Sequence, residues 1–144
     1  MLGMARIKLT LPDFFPFRCT IPIRVTDLNY GGHVGNDTIL SLVHEARMRY
    51  LHSLGYTEMN LAGVGLIMSD AAIEFKAELF WGEDLRAEVA AHELSRAGFD
   101  LYYRLSKSDG TPVALVKTGM ICFDYAAKKV VSIPDEVRSK LTGE

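Results

Sequence analysis

The chain has 144 residues, of which 49% are hydrophobic and 24% charged, and its formal net charge is −2 at pH 7. This length fits one domain with a buried core, and the charge excludes the basic surface typical of proteins that bind nucleic acid or anionic membranes. No run of 18 apolar residues and no secretory signal pattern occurs, so we expect a cytoplasmic protein with no membrane segment, folded as a single domain over residues 1–144.

Cysteine and histidine spacing predicts no metal centre. Cys19 and Cys122 show no CxxC spacing and are expected to be reduced core residues. The four histidines share no ligand spacing with a cysteine or a second acid, and no HExxH occurs. No glycine-rich segment is followed by GKS or GKT, which a phosphate-binding loop would require. We therefore expect neither a metal nor another cofactor.

The first half of the chain predicts a strand, a turn and a long helix. Residues 17–26 are rich in strand-forming types, and the turn-rich segment 27–35 follows. Apolar residues then recur at spacings of three and four, at Ile39, Val43, Ala46, Tyr50 and Leu54. This period predicts an amphipathic helix of about five turns. Asn36 or Asp37 is expected to cap its start, and Gly55 to end it in a left-handed conformation.

The second half predicts antiparallel strands. Apolar and polar residues alternate over 71–78, 85–91 and 99–105, and the Ser-Asp-Gly at 108–110 predicts a hairpin turn. The strand at 113–123 is apolar on both faces and needs cover on both. One helix covers only one face, so a second subunit is expected on the other.

A short closing helix is expected at 135–141, after Pro134 in its first turn. The predicted order is therefore strand, long helix, four strands and a short helix. This order indicates an α+β fold with one central helix.

The densest group of functional residue types lies at 27–37, directly before the long helix. Its glycines, Gly31, Gly32 and Gly35, let the backbone approach a ligand closely. The helix start adds unpaired N–H groups and the positive end of the helix dipole. Such a site suits a thioester carbonyl, whose oxygen becomes negative during hydrolysis. A simple turn before a helix has the same composition, so the motif alone leaves both interpretations open.

Four motifs in order carry a family resemblance. Residues 27–36 have the form Asp-x-Asn-x-x-Gly-His-Val-Gly-Asn, and the helix carries His-Glu-Ala-Arg at 44–47. Residues 80–85 contain an aromatic-x-Gly connection, and residues 131–138 contain Ile-Pro-x-x-x-Arg. Over 21–141 the chain resembles the 4-hydroxybenzoyl-CoA thioesterase family. The resemblance implies a hotdog fold, an antiparallel sheet wrapped around one long central helix, and hydrolysis of an acyl- or aroyl-CoA thioester.

The chain departs from that family at two catalytic positions. Asn29 stands where the family commonly has its catalytic carboxylate, and His44 stands where a sister clade has a helix glutamate. An amide can orient a thioester or a water but cannot take a proton near neutral pH. The resemblance therefore implies that N–H groups near Asn36 hold the oxyanion, that Asn29 positions substrate or water, and that His44 or Glu45 is the general base. Asn29 as a turn former and His44 as an interface residue remain the alternatives.

Five further residues are candidates for the active site, and most of them have a simple structural role as the alternative. His33 matches a histidine of plant acyl-carrier thioesterases of this fold, or it forms an ordinary loop hydrogen bond. Asp27 is a substrate-binding candidate or a turn residue. Gly32 and Gly35 are expected to let the backbone approach substrate. Arg47 is expected either to meet the phosphates of coenzyme A or to form a surface ion pair.

Helix geometry predicts that the site is shared between subunits. His44 lies eight residues after Asn36, which is about 12 Å along a helix axis. It therefore cannot reach a carbonyl held at its own helix start, and a partner chain must supply it. We expect a homodimer or a homotetramer. The motifs leave open the acyl group, the carrier (coenzyme A or acyl carrier protein), and two other functions: thioester binding without hydrolysis, and enoyl-thioester hydration.

Overall fold

The structure is a computed structural model that describes residues 6–143. Its strands form one antiparallel sheet, and α1 packs across one face. The elements in chain order are β1 (Phe17–Pro22), a 3-10 turn (Val25–Asp27), α1 (Asn36–Ser53), β2 (Gly65–Phe75), β3 (Asp84–His92), β4 (Gly98–Lys107), β5 (Pro112–Asp124), β6 (Lys129–Val130) and α2 (Asp135–Thr142). The order across the sheet is β1-β3-β4-β5-β2, and β6 pairs with β5. This confirms the predicted α+β architecture.

The first two strands have different bounds from those predicted. β1 ends at Pro22 rather than at 26, because the Asp27 carboxylate accepts the Arg24 N–H at 2.8 Å and folds the chain into a turn. β2 runs from Gly65 to Phe75 rather than over 71–78. Its first half lacks the alternation that identifies a strand in a sequence. The short β6 gives no sequence signal at all, since two residues show no period.

The long helix begins differently from the prediction and ends as predicted. The expected cap at Asn36 or Asp37 is wrong, because Gly35 is the N-cap and no side chain bonds the first turn. The helix ends at Ser53, and Gly55 adopts a φ of +89°. That left-handed conformation confirms the predicted role of Gly55.

One face of α1 packs against the sheet to form the core. Val43, Ala46 and Leu51 are completely buried on the helix, as are Leu101 and Tyr103 on β4. Burying a leucine or valine side chain contributes roughly 1.5–3 kcal/mol to stability, so this interface fixes where α1 lies. No helix within residues 6–143 is long and apolar enough to cross a membrane.

The two faces of β5 are buried to different extents. Ala114, Val116 and Met120 on one face are buried, whereas on the opposite face Val113 is buried and Leu115 and Ile121 are half-buried. The prediction that β5 is apolar on both faces is confirmed. Cover of the outer face by a second subunit stays a prediction.

β2 is an edge strand. Only β5 pairs with it within the described part of the chain, and Met68, Ser69, Asp70 and Ala71 are exposed at its middle. The exposed middle of this edge, residues 68–71, presents backbone N–H and C=O groups that favour pairing with another chain.

Candidate active site

The loop before α1 is a closed turn built around Asn29. Its N–H donates to the His33 carbonyl at 2.9 Å, and its side-chain Oδ1 accepts the Gly31 N–H at 2.9 Å. Gly32 has a φ of +85°, a conformation that a side chain would strain. The turn-forming role of Asn29 is therefore present in the structure. It uses only the oxygen of the amide and leaves the Nδ2 donor for another partner.

The start of α1 presents free donors beside that amide. Among the described residues, the N–H groups of Asn36 and Asp37 have no acceptor. The Asn29 Nδ2 lies 3.6 Å from the place where a Cβ on Gly35 would stand. Gly35 has no side chain there, but Asp37 Oδ1 lies 2.6 Å from the same place. The exposed Asp37 carboxylate must therefore rotate away before a ligand oxygen can lie between the Asn29 amide and the helix start. The arrangement can hold an oxygen that becomes negative.

A cavity of about 330 Å³ opens next to this helix start. Its lining residues are His33, Val34, Asn36, Ile39, Phe75, Lys76, Ala77, Glu78 and Leu79. Phe75 is 48% exposed at the cavity, and the His33 ring stands edge-on to Phe80 at 6.4 Å. The lining is about equally polar and apolar, with Phe75 as its one large aromatic carbon ring. Apolar contact area with polar groups beside it can hold an organic ligand.

His33 is hydrogen-bonded on one ring nitrogen. Its Nδ1 lies 3.0 Å from the Val34 carbonyl oxygen, to which it can donate, whereas its Nε2 lies 3.8 Å from the Glu78 carboxylate, too far for a hydrogen bond. The ordinary loop hydrogen bond expected for His33 is thus present, and the ring also borders the cavity. Glu78 has no motif of its own. Sequence reasoning missed it because it falls within a segment predicted as an alternating strand.

His44 is exposed on α1 and pairs with a residue that the sequence did not suggest. Its Nε2 lies 2.5 Å from Glu58 Oε1. Glu58 belongs to the irregular connection between α1 and β2, where no period indicates which side chains meet.

The structure corrects the expectation for Arg47. Its side chain is 7% exposed, so it is neither a surface ion pair nor free to bind a phosphate. Its Nε donates to Glu58 Oε2 at 3.3 Å, and Nη1 donates to the Tyr103 hydroxyl at 3.2 Å. Tyr103 lies 2.7 Å from Thr118 Oγ1. Burial raises the pKa of Tyr103, although the Arg47 charge opposes this, so the phenol stays protonated at neutral pH.

Glu45 and Asp27 lie on the other side of α1, towards β1. The Glu45 carboxylate accepts the Arg49 Nε at 2.8 Å, and Arg49 also donates to the Thr20 carbonyl. Asp27 is buried, and both its carboxylate oxygens accept from Arg24. The geometry therefore favours the turn role for Asp27 and leaves His44, rather than Glu45, on the side of β2.

A second, larger cavity of about 700 Å³ lies at the opposite end of α1, near Tyr50, Leu54, His92 and Leu141. The glycine-rich loop does not contribute to it. No group of three metal-ligating side chains occurs in residues 6–143.

Known proteins are similar to this chain in sequence and in fold. Residues 23–141 match the model of the thioesterase-like superfamily. A putative esterase of Aquifex aeolicus is 30% identical over 125 residues, which cover 85% of this chain and 94% of that protein. A 1,4-dihydroxy-2-naphthoyl-CoA hydrolase of Thermosynechococcus vestitus is 29% identical over 116 residues, covering 78% of this chain and 80% of that one.

The structure of a thioesterase from Thermus thermophilus in complex with coenzyme A and Zn is similar to this chain. Its TM-score is 0.77 at 20% identity, with 89% of this chain and 98% of that one covered. These similarities confirm the predicted hotdog fold.

Proposed function

The chain belongs to the thioesterase-like superfamily, and from that premise we propose that its substrate is the coenzyme A thioester of a bicyclic, hydroxylated aromatic acid. The enzyme hydrolyses an acyl- or aroyl-CoA thioester to the free acid and coenzyme A. Two curated relatives are 1,4-dihydroxy-2-naphthoyl-CoA hydrolases, and the Thermus thioesterase binds coenzyme A. We also propose that, within this superfamily, the chain is related to the 4-hydroxybenzoyl-CoA thioesterase family that its motifs resemble.

One observation supports the proposed location of the reaction. The start of α1 has free N–H groups, and the free Asn29 Nδ2 lies 3.6 Å from the place where a Cβ on Gly35 would stand. Asp37 Oδ1 lies 2.6 Å from the same place, so we propose that this exposed carboxylate rotates away when a carbonyl oxygen binds there. The cavity beside them, with Phe75 and His33 in its lining, is where the aroyl group is expected to lie. Donors fixed by the backbone stabilise the oxyanion without reorganising during the reaction.

The shape of the exposed surface supports a shared site. Leu40, His44 and Met48 recur every four residues, so they lie on one face of α1, and all three are exposed. Met68 is exposed on the helix side of the edge strand β2. An apolar stripe next to an unpaired edge suits a second copy of the chain, whose β2 continues the sheet. In such a dimer each loop meets the partner's α1.

The proposed mechanism uses one group from each chain. The partner's His44 takes a proton from water, and the water oxygen bonds to the thioester carbonyl carbon. The carbonyl electron pair moves to the oxygen, which the N–H groups near Asn36 and the Asn29 amide stabilise. The C–S bond then breaks, the imidazolium returns its proton to the leaving sulfur, and coenzyme A leaves as the thiol. Glu45 is not the base in this mechanism, because it points about 100° around the helix from His44 and pairs with Arg49.

A substrate panel tests this function. Benzoyl-, hydroxynaphthoyl-, acetyl- and long-chain acyl-CoA are assayed for released thiol, and an enoyl-CoA is assayed for water addition. We expect the highest kcat/KM for the bicyclic aroyl-CoA. Binding without thiol release would support the non-hydrolytic alternative, and hydration of the enoyl-CoA would support the hydratase. Equal rates for acetyl- and aroyl-CoA would contradict the proposed specificity.

A further inference from the structure

The imidazole of His44 is tethered on one nitrogen only. Nε2 lies 2.5 Å from Glu58 Oε1, whereas Nδ1 has no hydrogen-bond partner in the described residues. The side chain is 56% exposed, on the same face of α1 as Leu40 and Met48. A neutral imidazole has one N–H donor and one acceptor nitrogen. Because a carboxylate only accepts, the neutral ring must carry its proton on Nε2.

Glu58 is itself fixed to the core. Its second carboxylate oxygen accepts the Nε–H of buried Arg47, and its carbonyl oxygen accepts the Leu66 N–H at 2.8 Å. Arg47 continues inward to Tyr103, which is completely buried on β4. The carboxylate therefore cannot rotate away from His44 without breaking the pair with a buried guanidinium. An unpaired buried charge is strongly destabilising, so this geometry is firmly held.

From these contacts we propose that Glu58 is the positioning residue of His44: it fixes the Nε2–H tautomer and presents Nδ1 as the atom that takes the proton from water. This inference rests on the proposed function, since His44 is the base only if the site is shared as described. The carboxylate also stabilises the imidazolium that forms when Nδ1 is protonated. In this proposal Glu58 acts only through His44.

A purely structural role for Glu58 makes a different prediction. If Glu58 only neutralised Arg47, any change that kept Arg47 paired would leave catalysis intact. Glu58→Gln separates the two roles, because the amide oxygen faces Arg47 and the amide NH₂ must then face His44. That NH₂ donates to Nε2 and forces the proton onto Nδ1. In serine proteases the same carboxylate-to-amide change leaves the geometry intact and lowers kcat about 10⁴-fold.

The kinetic test compares Glu58→Gln with His44→Ala on the best aroyl-CoA. Both are expected to lose about 10²–10⁴-fold in kcat with little change in KM, because the base acts only in the transition state. Tyr103→Phe is the control: it breaks the inner end of the same network and should lower Tm while kcat stays within about twofold. If Glu58→Gln does not fold, Glu58→Leu combined with Arg47→Met removes both charges and should show the same loss.

The second readout does not depend on activity. Two-bond ¹H–¹⁵N correlation spectra at about pH 8.5, above the ordinary imidazole pKa, show which ring nitrogen of His44 is protonated. We expect Nε2–H in the wild type and Nδ1–H in Glu58→Gln. An Nδ1–H tautomer in the wild type, or wild-type kcat in Glu58→Gln, would overturn the proposal even if the enzyme hydrolyses thioesters. If no acyl-CoA is hydrolysed, the proposed function fails and the spectra alone decide whether Glu58 sets the tautomer.

Discussion

A single methyl group at Gly35 tests whether the start of α1 holds the thioester carbonyl. Gly35 has φ −70° and ψ 155°, a conformation that alanine adopts without strain. The added Cβ would stand 2.6 Å from Asp37 Oδ1 and 3.6 Å from Asn29 Nδ2. Asp37 is exposed, so its carboxylate can rotate away. The methyl group would then occupy the space in which the carbonyl oxygen is expected to bind.

The expected effect on stability is small and the effect on catalysis is large. Alanine in place of glycine at a compatible conformation stabilises by about 0.4–1 kcal/mol, because it restricts the unfolded chain. Moving Asp37 offsets part of that gain, so Tm should change by only a few degrees. Loss of one oxyanion donor costs about 2.7–4 kcal/mol of transition-state stabilisation. Gly35→Ala should therefore lower kcat/KM by about 10²–10³-fold.

Thiol release from the best aroyl-CoA and thermal unfolding are measured on the same samples. Asp37→Ala is the control for a displaced carboxylate, and its kcat/KM should stay within about threefold of wild type. The Gly35→Ala, Asp37→Ala double variant should be as slow as Gly35→Ala alone. Wild-type kcat/KM in folded Gly35→Ala would refute the placement of the carbonyl at this helix start.

Three further outcomes are expected. Asn29→Ala should lower kcat/KM by about 10²-fold through loss of its free amide donor, and an unchanged value would leave Asn29 as a turn former only. The protein should be a dimer or tetramer by light scattering, and Leu40→Asp with Met68→Asp should give an inactive monomer; an active monomer would contradict the shared site. The bidentate hydrogen bond from Arg104 lowers the pKa of Glu88 in the folded protein. The contribution of this pair to the free energy of unfolding is therefore complete above the ordinary carboxyl pKa near 4.3, and it is lost as the pH falls through the lower pKa of the folded state. In urea titrations Glu88→Gln should cost on the order of 1 kcal/mol at pH 7 and less at low pH, whereas an equal cost at both would contradict this pairing.

The sequence pattern predicted those parts of the fold that repeat with a period. The spacing of apolar residues located α1, and alternation located β3 and β4, because a regular element imposes its period on the residues it buries. A run that is apolar on both faces located β5. The first half of β2 escaped prediction, since Gly65 to Asp70 carries no alternation. Pairing with β5 makes that segment a strand, and a pairing partner is not visible in local sequence.

The site was predictable where it is local in the chain. The turn at 27–35 and the helix start adjoin in sequence, so their glycines and Asn29 pointed to one place. Glu58 and Glu78 could not be found in this way. Glu58 lies fourteen residues from His44 in an irregular connection, and only the packed fold brings them together. Arg47 was misjudged because a charged residue beside an apolar stripe is usually solvated, whereas Glu58 and Tyr103 allow its burial.

Mixing two inactive variants tests the shared thioesterase site most directly. Asn29→Ala chains have an intact His44, and His44→Ala chains have an intact loop. If each site combines the loop of one chain with the helix of its partner, a mixed dimer regains one complete site of two. Random exchange of equal amounts should then restore about a quarter of wild-type activity, because about half of the dimers are mixed. No recovery after subunit exchange has been verified would contradict a site built from two copies of the chain.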